Sequence, residues 1–180
     1  MKTTVAMLHT SFVFVNVEPM IGELLRELLP HTRVIDFVDG DVLATVQREG
    51  EVSPSSVRRM CHLAEAAEDA GAEVIFSACS SLGPAIDVAR RLVRVPIVKI
   101  DDAMAREAVR RATRIGVLAT VPSTLGPTAD LIRTHAAEAG KPITLFPHLC
   151  EGAFRILMPG DRDRHDAMVS EGARLPPMVT

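Results

Sequence analysis

The sequence lacks the short motifs that mark several large enzyme classes. None of the patterns GxGxxG, GxxxxGK[ST], GxSxG and HExxH occurs in its 180 residues. Dinucleotide binding, phosphate-loop nucleotide binding, serine hydrolysis and zincin chemistry therefore lose their usual support. The 3 cysteines form no CxxC pair. An odd number of unpaired thiols favours the reducing cytoplasm over a disulfide framework.

An excess of positive charge is also missing. Lys and Arg number 20 against 23 for Asp and Glu, which gives a formal net charge of -3. A nucleic-acid partner is therefore disfavoured, because phosphate binding needs clustered Lys and Arg. Most arginines, including Arg58 and Arg59, fall on predicted helix faces and are expected to be solvated.

Long apolar runs are absent as well. Nothing approaches the roughly 18–20 unbroken apolar residues of a membrane helix, so no membrane partner is expected. The apolar stretch Val5–Val17 is interrupted by polar side chains, and no A-x-A cleavage site follows it. We therefore interpret the stretch as containing a first strand and not as a signal peptide.

Short apolar stretches alternate with helical patterns along the whole chain. This alternation predicts parallel βαβ units whose sheets are buried on both faces, an α/β fold. The predicted strands are Thr3–Leu8, Arg33–Val38, Glu73–Ser77, Val95–Ile100, Arg114–Ala119 and Lys141–Pro147. Helices are predicted at about residues 19–29, 54–70 and 80–92, after Asp101 and Asp102, from the segment Thr120–Thr124 to about residue 139, and at residues 161–174, with a further short helix after Glu151.

The pattern starts again after Ile100, which predicts two similar lobes of parallel sheet flanked by helices. They comprise residues 1–100 and residues 101–180. The first lobe has four predicted strands and the second has two. We therefore expect the second lobe to stop before its last strand.

The stretch Ala72–Pro84, AEVIFSACSSLGP, is the strongest site candidate. A buried strand leads into a small-residue turn that contains Cys79, and a helix follows. Open α/β sheets bind ligands beyond the carboxyl ends of their strands. The N–H groups and dipole of the helix are predicted to lower the pKa of the Cys79 thiol. The alternative is a small buried hydrophobic residue, since free cysteine is among the most buried residue types.

Hydroxyl side chains follow three predicted strands. A helix N-terminus beside hydroxyl groups is a ready site for a carboxylate, because its N–H groups and dipole favour negative charge. Ordinary helix capping is the alternative for each set taken singly. Two such sites that face each other would hold a small acid without any arginine. The sets are Thr10 and Ser11; Ser80 and Ser81; and Thr120, Ser123 and Thr124.

Three further side chains at predicted strand ends are weaker candidates. His9 is either an acid or base of the site or a structural hydrogen-bonding group. His148 and Cys150 have the spacing H-x-C. Zinc needs three or four protein ligands, so this pair predicts no metal site by itself. Cys61 falls inside a long predicted helix and is expected to pack in the core.

Two segments together resemble the aspartate/glutamate racemase superfamily, and the resemblance extends over nearly the whole chain. One is SACSS around Cys79, after a buried strand and before the sequence VPIVKI. The other is IGVLATVPST, which ends at Thr124 and opens the second half of the chain. The superfamily has a cysteine in small polar company after the third strand and a T-x-x-[ST] segment in the second lobe.

The resemblance implies two α/β lobes with an active site between them and no cofactor. It implies that Cys79 is the first of two catalytic cysteines and that the hydroxyl residues contact substrate. Thr10 and Ser11 match the loop after the first strand, Ser80 and Ser81 flank the cysteine, and Thr120 and Ser123 match carboxylate-binding positions. The loop His9-Thr10-Ser11 replaces the aspartate-serine loop of glutamate racemases, so the resemblance does not imply glutamate as the substrate.

The implied activity is that of a cofactor-independent amino-acid racemase, an isomerase. A thiolate removes the α-proton of a small carboxylic or amino acid, and an acid on the opposite face returns it. The second cysteine of the family follows a strand that lies beyond those predicted here, and Cys150 does not match it. A one-cysteine decarboxylase or cis-trans isomerase of the same superfamily and a non-catalytic small-acid-binding protein are the alternatives. An unpaired sheet edge also makes a homodimer an expectation.

Overall fold

The computed structural model describes residues 3–17 and 20–174. The chain divides into two compact units, Met1–Ile100 and Asp101–Thr180. Each unit contains a sheet of parallel strands together with helices. The predicted α/β class with helix-flanked parallel sheets is confirmed. In the described ranges, no helix is long and apolar enough to cross a membrane.

The first unit is built on a four-stranded parallel sheet with the strand order β2-β1-β3-β4. One of its two inner strands, β1, is buried along its whole length, and its sequence TVAMLH is apolar between Thr4 and His9. The strands are β1 Thr4–His9, β2 Arg33–Val38, β3 Val74–Ser77 and β4 Ile97–Lys99. The helices are α1 Met20–Leu28, α2 Val42–Glu49, α3 Pro54–Asp69 and α4 Gly83–Ala89. A π-helical turn spans Val13–Val17, and a 3₁₀ turn spans Ser80–Leu82.

Helix α3 follows its sequence signals at both ends. The Ser53 hydroxyl accepts a hydrogen bond from the N–H of Ser56 at 3.4 Å, and Pro54 occupies the first helical turn. Gly71 follows the helix with a φ of +85°, a backbone conformation that side chains with a Cβ rarely adopt. The buried face of α3 includes Met60 and Cys61, so Cys61 packs in the core as expected.

In its described residues, the second unit has two parallel strands, β5 Arg114–Ala119 and β6 Thr144–Leu149. Its helices are α5 Asp102–Arg111, α6 Pro122–Glu138, α7 Ala153–Leu157 and α8 Arg162–Gly172. Alternate residues of β5 are buried, which places one face of the strand against the helices. A buried apolar cluster joins α5, β5 and α6 and comprises Ala105, Val109, Ile115, Val117, Ile132 and Ala136.

Several element boundaries differ from the predictions. Helix α2 was not predicted, because β-branched residues in its sequence VLATVQRE lower the helix propensity. Helix α4 ends at Ala89 instead of Leu92, and the next residues form hydrogen-bonded turns. Strand β6 is shifted toward the C-terminus, so His148 lies inside the strand and not after it. The predicted start of α1 at residue 19 lies outside the described residues.

Substitution of Gly172 with alanine is expected to destabilise the protein by about 1–3 kcal/mol, because it overpacks a closed contact. A Cβ at Gly172 would lie 2.6 Å from Sγ of Cys150 and 3.1 Å from Cδ2 of His148. Gly22→Ala in α1 is the comparison, because its Cβ would meet only the flexible end of Arg26 at 3.2 Å. That variant should gain about 0.5–1 kcal/mol. Urea denaturation measures both changes, and shifts of the same sign would contradict this account.

Candidate active site

The Cys79 sulfur lies among four hydrogen-bond donors of the first unit. They are the hydroxyls of Thr10 and Ser81 and the backbone N–H groups of Ser81 and Leu82. Cys79 follows β3 directly and precedes the 3₁₀ turn Ser80–Leu82. Every one of these donors favours a negative charge on the sulfur. Two of the predicted hydroxyl residues of this unit, Thr10 and Ser81, are thus brought together at the sulfur.

The turn around Cys79 is held by the sheet and by the core. The N–H of Ala78 donates to the carbonyl of Leu8 at 3.1 Å, which continues the pairing of β3 with β1 beyond the strand end. Leu82 is completely buried and anchors the turn, and Ser81 is buried beside it. Ser80 opens the 3₁₀ turn and is partly exposed.

The prediction that the surroundings lower the pKa of the Cys79 thiol is wrong. The Cys79 side chain is partly exposed, but the protein atoms around it desolvate the sulfur and raise the pKa of the thiol, and the four hydrogen bonds from Thr10, Ser81 and Leu82 lower it by less. The net pKa is therefore above the ordinary 9.0 of cysteine. A thiolate is disfavoured in a desolvated position even where donors are aimed at it. At neutral pH the thiol is mostly protonated, and its donors stabilise the thiolate when it forms.

The loop after β1 is held through its backbone carbonyls. The carbonyl of His9 accepts from the N–H of Asp39 at 3.0 Å, and that of Thr10 accepts from Leu43 at 3.3 Å. The buried Thr10 side chain is thereby directed to the sulfur of Cys79. The Ser11 hydroxyl accepts instead from the N–H of Val13 at 3.4 Å. Of this pair, Thr10 serves the thiol and Ser11 serves a local turn.

His9 is directed to the other side of β1. Its Nε2 lies 2.9 Å from Oδ1 of Asp36, and its ring is buried. Asp36 belongs to β2, whereas Cys79 follows β3, and these two strands flank β1 on opposite sides. The contact with Asp36 therefore favours the structural alternative for His9.

The third hydroxyl set lies in the second unit, where β5 leads into α6. Thr120, Ser123 and Thr124 are all partly exposed. The N-cap position of the helix is Val121, whose apolar side chain makes no capping hydrogen bond. The N–H of Thr124 donates to the carbonyl of Val121 at 3.0 Å. Thr120 lies one residue before the N-cap, and its role as a carboxylate ligand stays a prediction.

His148 and Cys150 lie close together in the second unit, under the end of α8. Cys150 is buried, and burial raises the pKa of its thiol. A Cβ atom placed on Gly172 would meet atoms of both side chains, so both lie close to this glycine. Among residues 3–17 and 20–174, no group of three or more His, Cys, Asp or Glu side chains could hold a metal ion.

An ion pair near the Thr10 loop was missed by the sequence interpretation. Arg59 lies on α3 and donates to both carboxylate oxygens of Asp39, with an Nε to Oδ2 distance of 2.6 Å. Burial alone would raise the pKa of the Asp39 carboxyl. The hydrogen bonds and charge of Arg59 and the N–H groups of Asp41 and Val42 nevertheless hold that pKa below 3.8. The expectation of a solvated Arg59 is therefore wrong, because its side chain is only 31% exposed and is paired.

Asp39→Asn is expected to lower the stability by about 1–3 kcal/mol near neutral pH, because it removes charge-assisted hydrogen bonds. The pKa of Asp39 is lowered in the folded state, so its stabilising contribution is present above pH 3.8 and is lost as the pH falls through the folded pKa. The deficit of the variant should therefore shrink in acid. Asp130→Asn removes an exposed ion pair with Arg133 and should change little at any pH. Urea denaturation at several pH values measures both, and a deficit that persists unchanged in acid would contradict this account.

A family match extends over most of the chain. The Asp/Glu/Hydantoin racemase family matches residues 15–174. The chain belongs to this family. The predicted resemblance to aspartate/glutamate racemases is thereby confirmed. No curated protein sequence matches the chain, so the likeness to individual members of the family comes from solved structures.

Solved racemase structures share the fold at low sequence identity. The glutamate racemase of Francisella tularensis, in complex with D-glutamate, is 17% identical with a TM-score of 0.68; the match covers 88% of this chain and 57% of that one. The glutamate racemase of Aquifex pyrophilus is 18% identical with a TM-score of 0.61, over 81% of this chain and 55% of that one. The aspartate racemase of Picrophilus torridus is 12% identical with a TM-score of 0.63, over 94% and 74%. The chain thus spans little more than half the length of these two glutamate racemases.

Proposed function

We propose that the protein is a cofactor-independent racemase-type enzyme whose Cys79 thiolate moves the α-proton of a small carboxylic or amino acid. The observation that carries this proposal is the group of four donors around the Cys79 sulfur, at the carboxyl end of β3. Such donors stabilise the charge that develops on the sulfur when it gives up its own proton. Membership of a racemase family supports the proposal independently.

The proposed step is a proton transfer at carbon. The Cys79 thiolate takes the α-hydrogen as a proton, and the electron pair of the C–H bond stays on the substrate as a carboxylate-stabilised carbanion. Return of a proton from the opposite face inverts the carbon, whereas return from Cys79 restores it. Racemisation therefore needs a second acid, and proton exchange with retention needs only Cys79.

The substrate carboxylate is proposed to bind the remaining hydroxyl groups. Thr120, Ser123 and Thr124 flank the N-terminus of α6, where a negative charge is favoured. Ser11 and Ser80, beside the donors to the thiol in the first unit, are proposed as further substrate contacts. The second acid or base is not assigned, and neither His148 nor Cys150 is required by the proposal.

Proton exchange in D₂O tests the proposal. The protein is incubated with aspartate, glutamate and other small α-amino and α-hydroxy acids, and the α-proton is followed by NMR. We expect the α-proton signal of at least one acid to disappear in the presence of protein. Optical rotation of the same samples separates racemisation from exchange with retention. The absence of exchange with every acid would overturn the proposal, and acid binding without exchange would favour a binding protein.

We also propose that the protein works in the reducing cytoplasm and that it forms a homodimer. Cys61, Cys79 and Cys150 are free thiols in the structure. The two-stranded sheet of the second unit has unpaired edges in the described part of the chain, and such edges invite strand pairing. Light scattering on the purified protein measures the dimer, and a monomer across the working concentration range would contradict it.

A further inference from the structure

We propose that Arg59 and Asp39 are positioning residues that hold the Thr10 hydroxyl against the sulfur of Cys79. The two residues are proposed to position a donor to the thiol and not to contact the substrate. This role goes beyond the proposed function, although it supports the same thiol. It follows from a chain of contacts that begins on α3 and ends at the sulfur.

The first link joins α3 to the loop after β2. Both nitrogens on one side of the Arg59 guanidinium donate to the two oxygens of Asp39, in the planar bidentate geometry that fixes a carboxylate. A third nitrogen, Nη1, donates to the hydroxyl of Thr45 at 3.3 Å and lies 3.6 Å from Oδ2 of Asp41. Arg59 therefore fixes both Asp39 and the first turn of α2.

The second link joins Asp39 to the start of α2. Its Oδ1 accepts from the N–H of Asp41 at 3.2 Å and from the N–H of Val42 at 3.1 Å. These N–H groups belong to the beginning of the helix, where no intrahelical acceptor exists for them. The Asp39 carboxylate thus performs the capping that determines where α2 begins.

The third link joins α2 and its loop to the end of β1. The N–H of Asp39 donates to the carbonyl of His9, and the N–H of Leu43 donates to the carbonyl of Thr10. Thr10 is thereby held by a helix whose own position depends on Asp39. The Thr10 hydroxyl donates a hydrogen bond to the sulfur of Cys79.

Two further contacts tighten this arrangement. Gly40 lies so close to the Phe12 ring that a Cβ there would overlap its Cε2 atom. The loop after β1 and the loop after β2 are therefore in direct contact. Helix α2 also packs against the 3₁₀ turn Ser80–Leu82, which supplies the other donors to the sulfur. The Thr10 loop and the 3₁₀ turn, which together supply the donors to the sulfur, therefore both contact α2, the helix that Arg59 and Asp39 hold in place.

Alkylation of Cys79 by iodoacetamide, followed by peptide mass spectrometry, tests the inference. Arg59→Gln should slow alkylation of Cys79 by about 5–10-fold, because a lost hydrogen bond to the sulfur disfavours the thiolate. Arg58→Gln is the matched control, because Arg58 is the adjacent and exposed residue of α3, and its rate should stay within about twofold. Arg59→Lys should not restore the rate, since an ammonium cannot make the bidentate pair.

A double variant separates positioning from general loosening of the fold. Thr10→Val removes the hydroxyl directly and should slow alkylation by a similar factor. If Arg59 acts through Thr10, adding Arg59→Gln to Thr10→Val should slow alkylation no further. The inference would be overturned if the two substitutions slowed alkylation multiplicatively in the double variant. It would also be overturned if the Arg58 and Arg59 variants were alkylated at equal rates. Asp39→Asn, which keeps an acceptor for the cap, provides the same comparison if Arg59→Gln does not fold.

This test is independent of turnover. The alkylation rates report the thiol whether or not any acid is a substrate. A Cys79 that depends on Arg59 in a protein without α-proton exchange would uphold the positioning role and count against the proposed reaction. If the wild-type protein exchanges α-protons but the Arg59 substitution leaves the alkylation rate of Cys79 unchanged, the proposed reaction would be upheld and the positioning role would be overturned.

Discussion

Replacement of Cys79 with alanine is expected to lower the rate of α-proton exchange by about 10²–10⁴-fold, the usual contribution of one acid or base. The reason is that alanine leaves the donors of Thr10, Ser81 and Leu82 in place but supplies no group that can take the proton. Serine should be nearly as inactive, because a hydroxyl is a far weaker acid than a thiol. The measurement is exchange in D₂O with the best acid found for the wild-type protein.

Cys61→Ala is the matched control for this experiment. Cys61 is a free, buried cysteine of α3, and burial raises the pKa of its thiol as it does for Cys79. The two residues differ in their surroundings, since Cys79 has four donors at its sulfur. The control should retain most of the exchange rate. A Cys79→Ala protein that keeps its rate, or a Cys61→Ala protein that loses it, would contradict the assignment.

Leu82→Ala is expected to destabilise the protein by about 2–5 kcal/mol, the range for a buried leucine replaced by alanine. Leu82 is 0% exposed, and its side chain anchors the turn whose N–H groups face the Cys79 sulfur. The loss therefore combines the transfer of a large apolar group with an unfilled cavity. Beyond the loss of stability, we expect slower alkylation of Cys79, because the turn is no longer fixed.

Leu92→Ala makes the same chemical change at an exposed position. Leu92 is 54% exposed, so its replacement should lower the stability by less than about 1 kcal/mol. Denaturation in urea measures both variants, and an unchanged slope shows that only the stability has altered. Equal losses for the two variants would mean that Leu82 does not anchor the turn.

Local patterns predicted much of the fold. Strands β2 and β5 have the predicted bounds, because each is an apolar run between clear breaks. Helix α3 begins at Pro54 as its Ser53 cap indicates. The Cys79 turn could also be found, because a buried strand, a small-residue turn and a helix start are all visible within thirteen residues of sequence.

The features that were missed depend on contacts between distant residues. Helix α2 owes its start to Asp39, a residue that precedes it in the turn and is held by Arg59, 20 positions along the chain. Sequence periodicity does not show such a partner, and Arg59 resembles any solvated arginine of a helix. The pKa of Cys79 was misjudged for a related reason. The donors are local and predictable, whereas the burial that outweighs them comes from the packed fold.

Two pH profiles of the wild-type protein test most directly whether the Cys79 thiolate removes the α-proton. One is kcat/KM for exchange, with an acid whose own groups do not titrate in the range, and the other is the rate of Cys79 alkylation. Because kcat/KM reports the free enzyme, the two profiles should rise together with pH. Neither should level off below pH 9.0, since burial raises the pKa of Cys79 above that value. Exchange that levels off at a lower pH while alkylation continues to rise would contradict the account.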